Sequence, residues 1–370
     1  MYDIAIIGGG INGCSIAYEL RESGKKIALF DKDGIASGGS GAAGAFISPK
    51  FSKEGELCEL LHEAFLYSLD FYEKNFPHLF KKTSLIHLAK DEQDAAILSQ
   101  YKKNTSLKLK IQPQEILTNL TANIKEYISL ETGIVDAKAM CFALAKYAQV
   151  YKQEVKTLRY DDGMWIINEI YSAKEVVLAI GAYKPLLQEP YNPIRGIWGH
   201  RIDIKTSTSN NNSYHQYVSI SPKINDTIAI GATHNVHYHP DKNTEPYNIN
   251  EGRAELLTKA AKTINLENIN IVKDYTGLRS GSVDYIPLVG PVVMACESKA
   301  AKTQNLHKKK IDYSLLDYYP NLTMINGNGG YGFVLAPYLA KILTEHILSA
   351  KEIPKNLLPA RFFARWARRN

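Results

Sequence analysis

The chain opens with Asp3-Ile4-Ala5-Ile6-Ile7, an apolar run that reads as a buried strand, and continues into Gly8-Gly9-Gly10-Ile11-Asn12-Gly13. A helical stretch then runs to Ser23, Gly24 stops it, and Lys26 to Phe30 forms a second strand. This is a strand–helix–strand start. Leu57, Leu60, Leu61, Ala64, Phe65, Phe71 and Tyr72 recur at helical spacing and predict a long amphipathic helix over 55–76 whose apolar face is core. Another helix is predicted from Asp136, a good N-cap, through Ala139, Phe142, Ala143 and Ala145 toward Tyr151. Val176 to Ile180 then reads as a buried strand ending at Gly181.

Between Ile194 and Thr233 the pattern changes to alternating stretches, such as Tyr217 to Ile220 and Thr227 to Ile230, parted by Pro222 to Asp226. That spacing predicts antiparallel hairpins. Residues 251–264 read as helix, and Gly277 to Pro291 as a glycine- and proline-marked segment leading to a surface loop at Lys308-Lys309-Lys310. A last strand, Leu322 to Ile325, meets Gly327-Asn328-Gly329-Gly330-Tyr331-Gly332, and a helix follows to about Leu348. The order predicts an α/β protein in which 1–80, 132–194 and 276–370 assemble a nucleotide-binding domain. A mostly antiparallel α+β substrate domain, 81–131 and 195–275, is inserted between them.

A length of 370 residues suits two domains. Hydrophobic residues at 45% and charged residues at 22% exclude a disordered or fibrous chain. No basic leader precedes the first apolar run, so neither a signal peptide nor a membrane span is expected. Cys14, Cys58, Cys141 and Cys296 lie far apart without a Cys-x-x-Cys pair, which leaves no zinc knuckle or disulfide framework and makes a cytoplasmic location the expectation. Of the net charge of +6, the last twenty residues carry +5, because Lys351, Lys355, Arg361, Arg365, Arg368 and Arg369 face only Glu352. Such a patch attracts phosphates, of nucleic acid or of an anionic membrane.

Gly8, Gly10 and Gly13 stand at G-x-G-x-x-G spacing between strand and helix, and Asp31 follows the next strand. The first glycine allows a tight turn, the second lets backbone approach a pyrophosphate, and the third lets helix and strand pack closely. Asp31 is placed to accept ribose hydroxyls, which disfavours a 2′-phosphate. FAD and NAD share this fingerprint. Three more glycine-rich places offer open amides: the loop Ser37, Gly38, Gly39, Ser40, Gly41, Ala42, Ala43 and Gly44; Gly181 at a strand end; and Gly327, Gly329, Gly330 and Gly332 before the last helix. That helix directs its positive end at whatever anionic group lies before it.

Ile6 to Gly13, Val177-Leu178-Ala179-Ile180-Gly181-Ala182, Gly277-Leu278-Arg279 with Asp284 to Gly290, and Gly327 to Pro337 carry a resemblance. By these stretches the chain resembles the D-amino-acid oxidase, glycine oxidase and sarcosine oxidase superfamily of FAD enzymes over nearly its full length. The resemblance implies FAD as cofactor, held in a Rossmann-type, glutathione-reductase-like domain. It also implies that Val155 contacts adenine through its backbone, that Gly181 lines the dinucleotide and that Arg279 grips a substrate carboxylate.

Within the superfamily, Pro193-Ile194-Arg195-Gly196, Ile230-Gly231-Ala232-Thr233 and Leu358-Pro359-Ala360-Arg361-Phe362 resemble the oxidoreductase domain of the bifunctional enzymes of tRNA 5-methylaminomethyl-2-thiouridine biosynthesis. That likeness implies removal of a carboxymethyl group from wobble uridine, with methylation left to another protein. Gly330 and Tyr331 depart from it, standing where relatives often carry an arginine near the flavin. Tyr331 stands among the glycines expected at the cofactor and is the second catalytic candidate beside Arg279, placed with Tyr275 to close the site; the competing roles are a structural ion pair between Arg279 and an acid such as Asp284, and plain packing for Tyr331 and Tyr275. A small-molecule amine oxidase is the second functional reading, and a flavin-containing RNA-binding protein without turnover the third.

No metal is expected, because His234, His237 and His239 have no cysteine or acidic ligands arranged around them. The tail, Arg361 to Arg369, sets aromatics roughly on one helical face and most arginines beside or opposite them. Two partners suit it: tRNA, to which the arginines supply phosphate contacts while aromatics stack or pack, or a membrane surface under a basic amphipathic helix.

Overall fold

The computed structural model describes residues 1–118, 120–183, 185–187, 189–191, 194–297 and 312–369. It is an α/β fold built on two eight-stranded sheets. The first orders Leu288–Val293, Tyr318–Asn326, Tyr171–Leu178, Tyr2–Ile7, Ile27–Asp31 and Gln149–Lys152, with the hairpin Leu158–Asp161 and Met164–Ile167 joined beside Tyr171–Leu178. From Tyr318–Asn326 to Gln149–Lys152 every pairing is parallel. A parallel sheet must be covered on both faces. Ile4 and Ile6 point into a core shared with helices Ile11–Glu19, Glu56–Asn75, Ala137–Ala145 and Gly332–Ser349. Ala5 and Ile7 alternate to the other face, against the hairpin and the C-terminal helix Ala360–Ala367.

The second sheet runs Asn270–Ser282, Ile194–Lys205, Ile228–Gly231, Ser219–Ile220, Asn212–His215, Phe80–Leu88, Tyr127–Val135 and Phe46–Ile47. Its pairings are antiparallel save one, Asn212–His215 running parallel to Phe80–Leu88. Ile86, Leu88, Ile202, Ile204, Ile228 and Ile230 bury one face against Leu256 and Ala260 of helix Ile249–Ala261. The sheet recruits more chain than 81–131 and 195–275, because Phe46–Ile47, residues 132–135 and residues 276–282 are strands of it.

Several elements depart from the pattern-based expectation. Asp136 caps its helix as expected, accepting from Ala139 N at 2.9 Å, but the helix ends at Ala145. Gln149–Lys152 is instead an edge strand beside Ala28 to Asp31, where Tyr151 stacks on Phe30 at 4.9 Å. Pairing with the sheet satisfies backbone groups that a longer helix would have left at its end. The expected loop at 37–44 holds one helical turn, Gly39–Ala42. Gly277 to Pro291 divides between two strands, Asn270–Ser282 and Leu288–Val293, with a turn between them at which Tyr285 adopts φ +67°. Of Tyr217 to Ile220, only Ser219–Ile220 is strand. Lys308-Lys309-Lys310 and Pro193 lie outside the described residues.

Candidate active site

One contact sets the position of the site. The turn Gly39–Ala42 lies against the strand Asn270–Ser282 backbone to backbone: a Cβ on Gly39 would stand 2.5 Å from Leu278 O, and one on Gly277 would stand 2.8 Å from Gly39 Cα. Only glycines permit that approach. It brings the strand carrying Arg279 against the segment that follows the first two parallel strands. Asn328 bridges to Gly281, and Gly329 N donates to Ser280 O at 2.7 Å, so the turn before helix Gly332–Ser349 joins the same wall.

These elements enclose a cleft of about 860 Å³. Of the residues expected to hold a cofactor, Gly8, Gly10, Asp31, Ser37, Gly38, Ser40, Ala42, Ala43, Val155, Gly181, Gly329, Gly330, Tyr331 and Gly332 line it. Gly13, Gly41 and Gly327 do not. A Cβ on Gly13 would stand 2.0 Å from Gly8 O, and one on Gly41 would stand 1.9 Å from Ala36 O, so both close backbone against backbone. Gly327 takes φ +82° and shapes the turn near Ser282. Gly8 combines φ +114° with a position where a Cβ would be 2.3 Å from Ala179 O.

Asp31 closes the second strand and is heavily engaged. Its Oδ2 accepts from Gly9 N at 2.8 Å, and its Oδ1 accepts from Asp33 N, Gly34 N and Ser37 Oγ. It therefore ties the glycine turn to the loop after the strand as well as facing the cleft. Two helices begin at the cleft with no cap from their own N-cap residues, Ile11–Glu19 after Gly10 and Gly332–Ser349 after Tyr331, and in the first of them Ile11 N donates to Ser40 Oγ at 2.9 Å. Their open amides and dipoles favour negative charge. At Gly329 and Gly330 a Cβ would meet nothing within 4 Å, which leaves backbone open toward the cleft. Glycine openings, two helix N-termini and a wall ending at Gln153, Glu154 and Val155 fit an extended dinucleotide with a ring system at one end.

Arg279 lines the cleft beside these elements. Burial lowers its pKa, and its Nη1 donates to Thr233 O at 3.1 Å. No carboxylate lies within ion-pair distance of it among the described residues. The alternative pairing with Asp284 is not made, because Arg361 occupies Asp284 with Nε and Nη2 at 3.0 and 3.1 Å. A buried guanidinium without an acid is destabilising until an anion reaches it. The cleft therefore presents a cationic group with no acid paired to it among the described residues. Tyr331 also faces the cleft, and burial pushes its phenol up to about 12, so it stays a hydrogen-bond donor. Tyr275 lies under the Arg201 guanidinium at 3.8 Å and is outside the cleft lining.

The sequence reading overlooked Arg201, His87 and His215. Arg201 sits two residues beyond Gly199 on Ile194–Lys205, lines the cleft, and donates from Nη1 to Ala43 O at 2.8 Å. Alternation along that strand, with Gly199 and Arg201 on one face, was the available signal. The two histidines come from strands far apart in the chain, and no local spacing marks them. Among the described residues no group of three or more His, Cys, Asp or Glu side chains could hold a metal. His239 Nε2 instead lies 3.4 Å from Ala182 O.

The C-terminal helix corrects the reading of the tail. Phe362 and Phe363 are buried in the core, and Arg361 is committed to Asp284, Ile286 O and Leu358 O. Arg361 is therefore a tether rather than a phosphate contact. Arg365, Arg368 and Arg369 are exposed. The apolar face that a bilayer would need is occupied by protein, and no helix among the described residues is long and apolar enough to cross a membrane.

Residues 3–346 match the family described as FAD dependent oxidoreductase. The chain belongs to that family. FAD is its cofactor, and the enzymes of this family oxidise C–N bonds of amines. Among solved structures it is similar to the glycine oxidase of Geobacillus kaustophilus, with a TM-score of 0.75 at 19% identity over 97% of this chain and 98% of that one. The iminodiacetate oxidase of Chelativorans sp. BNC1 gives a TM-score of 0.70 at 16% identity over 96% and 98% of the two chains. Both likenesses show the fold. Among curated proteins, the tRNA 5-methylaminomethyl-2-thiouridine biosynthesis bifunctional protein MnmC of Legionella pneumophila is 24% identical over 96% of this chain and 56% of its own length. The same-named protein of Leptospira interrogans is 25% identical over 99% of this chain and 61% of its own. The chain thus spans a little over half the length of these curated relatives.

Proposed function

We propose that this oxidoreductase removes the carboxymethyl group from 5-carboxymethylaminomethyluridine, or its 2-thio form, in tRNA and leaves the 5-aminomethyl group. The observation that carries the reading is the buried, acid-free guanidinium of Arg279 in the cleft that suits FAD. The curated relatives support tRNA as the substrate class.

A Rossmann-type, glutathione-reductase-like unit built on the first sheet would hold FAD. Gly8, Gly10 and Ser40 would meet the pyrophosphate, Asp31 and Val155 the adenosine end, and Gly329, Gly330 and the start of the last helix the ring. Bound FAD supplies a two-electron acceptor for the C–H bond next to the substrate nitrogen. Arg279 binds the acetate carboxylate, which fixes the direction of its methylene group. Tyr331 donates a hydrogen bond within the same site. Loss of a hydride and a proton from the CH₂–NH unit gives an imine, and water splits it into the aminomethyl uridine and glyoxylate. Exposed Arg365, Arg368 and Arg369 attract tRNA phosphates.

Anaerobic mixing with tRNA bearing the carboxymethylaminomethyl group is expected to bleach the flavin and release glyoxylate, whereas unmodified tRNA does neither. A holoenzyme that stays yellow with the modified tRNA overturns the proposal. Bleaching by glycine, sarcosine or a D-amino acid in its place establishes the small-amine reading.

A further inference from the structure

Beyond Arg279 the cleft has a second polar wall, to which the proposed function assigns no role. Strands Phe80–Leu88 and Asn212–His215 pair in parallel with His87 opposite His215, so alternation sends both imidazoles into the cleft while Ile86 and Leu88 face the core. The two ring centroids are 6.2 Å apart. Phe51 lies 4.8 Å from His87, Phe46 lies 5.2 Å from His215, and both phenyl groups also line the cleft.

In each ring one nitrogen, His87 Nδ1 and His215 Nε2, is sealed from solvent, which leaves His87 Nε2 and His215 Nδ1 as the atoms that can meet a molecule in the cleft. Burial, aided by the charge of Lys90, holds His87 at about 4, and burial next to His87 holds His215 at about 3. Both are neutral, so in each ring the tautomer sets whether the nitrogen open to the cleft donates or accepts, and the pair can present one of each. Lys50, Lys90, Asp94 and Arg201 are charged groups that line the same cleft, Arg201 standing in the row that runs through Gly231 and Ser219 to His215 and His87.

We propose that His87 and His215 form a base-binding subsite that holds the imide edge of the substrate's pyrimidine, with Phe46 and Phe51 as its aromatic walls. The chemistry matches. A uracil or 2-thiouracil presents a carbonyl acceptor and the N3–H donor side by side, and two neutral imidazoles present a donor and an acceptor. The carbonyl at position 4 adjoins the carbon that bears the reacting arm, so holding this edge aims the arm along the cleft to Arg279. The subsite rests on the function proposed above and adds its selectivity: it favours a carboxymethylamine that carries a pyrimidine over one that does not.

The test compares holoenzymes of wild type, His87→Phe and His215→Phe by anaerobic flavin reduction. The two substrates are tRNA bearing the carboxymethylaminomethyl group and iminodiacetate, which has the N-linked acetate and no base. The ratio of kcat/KM for tRNA to that for iminodiacetate is expected to fall about tenfold or more in each variant, as for sites built to hydrogen-bond a substrate. His87→Asn, which keeps a donor and an acceptor, is expected to recover part of the ratio. If a Phe variant does not load FAD, the corresponding Leu variant carries the comparison. Unmoved ratios in variants of a wild type that oxidises the modified tRNA overturn the subsite alone. A wild type that oxidises iminodiacetate but not the tRNA overturns the proposed function, and the subsite with it.

Discussion

The Arg279 guanidinium lies over Gly199: a Cβ on that glycine would stand 2.5 Å from Nη2 and 2.8 Å from Cζ. The two residues sit on adjacent antiparallel strands, Gly199 opposite Gly277 and Arg279 opposite Ile197. The absent side chain is the room in which the arginine lies. Gly199→Ala is therefore expected to displace Arg279 and lower kcat/KM for carboxymethylamines while FAD stays bound. Wild-type turnover in that variant removes the positioning role of Gly199.

Arg279→Ala takes away the charge that the proposed function gives to the substrate carboxylate. Losing one partner of a buried charge pair costs about 2–5 kcal/mol, which corresponds to roughly 30- to 4,000-fold in kcat/KM. Absorbance of the bound flavin is expected to match wild type. Arg279→Lys should recover little, since an ammonium cannot reproduce a bidentate contact. Full turnover with Ala at 279 rejects the carboxylate role.

Gly8→Ala forces a Cβ to within 2.3 Å of Ala179 O at a φ of +114°. The turn must shift or open, and with it the amides facing the dinucleotide. The expected outcome is purification without FAD. A yellow, fully loaded Gly8→Ala protein contradicts the close approach.

Asp284 and Arg361 link the turn before Leu288–Val293 to the C-terminal helix. Burial acts to raise the Asp284 pKa, but hydrogen bonds and charge from Arg361, with the Ile286 amide and Ser282 hydroxyl, outweigh it and leave it below the usual carboxylate range. A depressed folded pKa contributes stability above the unfolded value of about 4 and loses it as pH falls through the folded value. Arg361→Ala is expected to destabilise by about 1–3 kcal/mol at pH 7, between exposed and fully buried pairs. Its deficit in Tm should shrink toward pH 3. A deficit constant across that range assigns the effect to packing rather than to the pair.

The tail is best tested by charge, not by deletion. Removing 359–370 would strip buried Phe362 and Phe363 from the core, and a buried Phe→Ala change alone costs about 3–5 kcal/mol. Charge reversal at exposed Arg365, Arg368 and Arg369 is expected to weaken tRNA binding and flatten its salt dependence, by about 0.7–0.9 in log–log slope for each phosphate that is no longer neutralised. Arg361→Ala should change that slope less. An unaltered slope after triple reversal moves the tRNA surface elsewhere.

Local periodicity and spacing identified the strand–glycine–helix opening, the acid at Asp31, the long helix Glu56–Asn75 and the last helix, because each is written within a few turns of contiguous chain. Arg279 became a candidate through family resemblance. Its isolation from Asp284, the bond of Asp284 to Arg361, and the burial of the tail aromatics were settled by packing between segments distant in sequence. His87 and His215 meet for the same reason. Side-chain period and glycine punctuation are properties of short stretches, so they can be read before any folding is known. Which carboxylate a guanidinium reaches, and which two histidines share a wall, depends on sheet register and on backbones approaching at Gly39 and Gly277, and these exist only once the chain has folded.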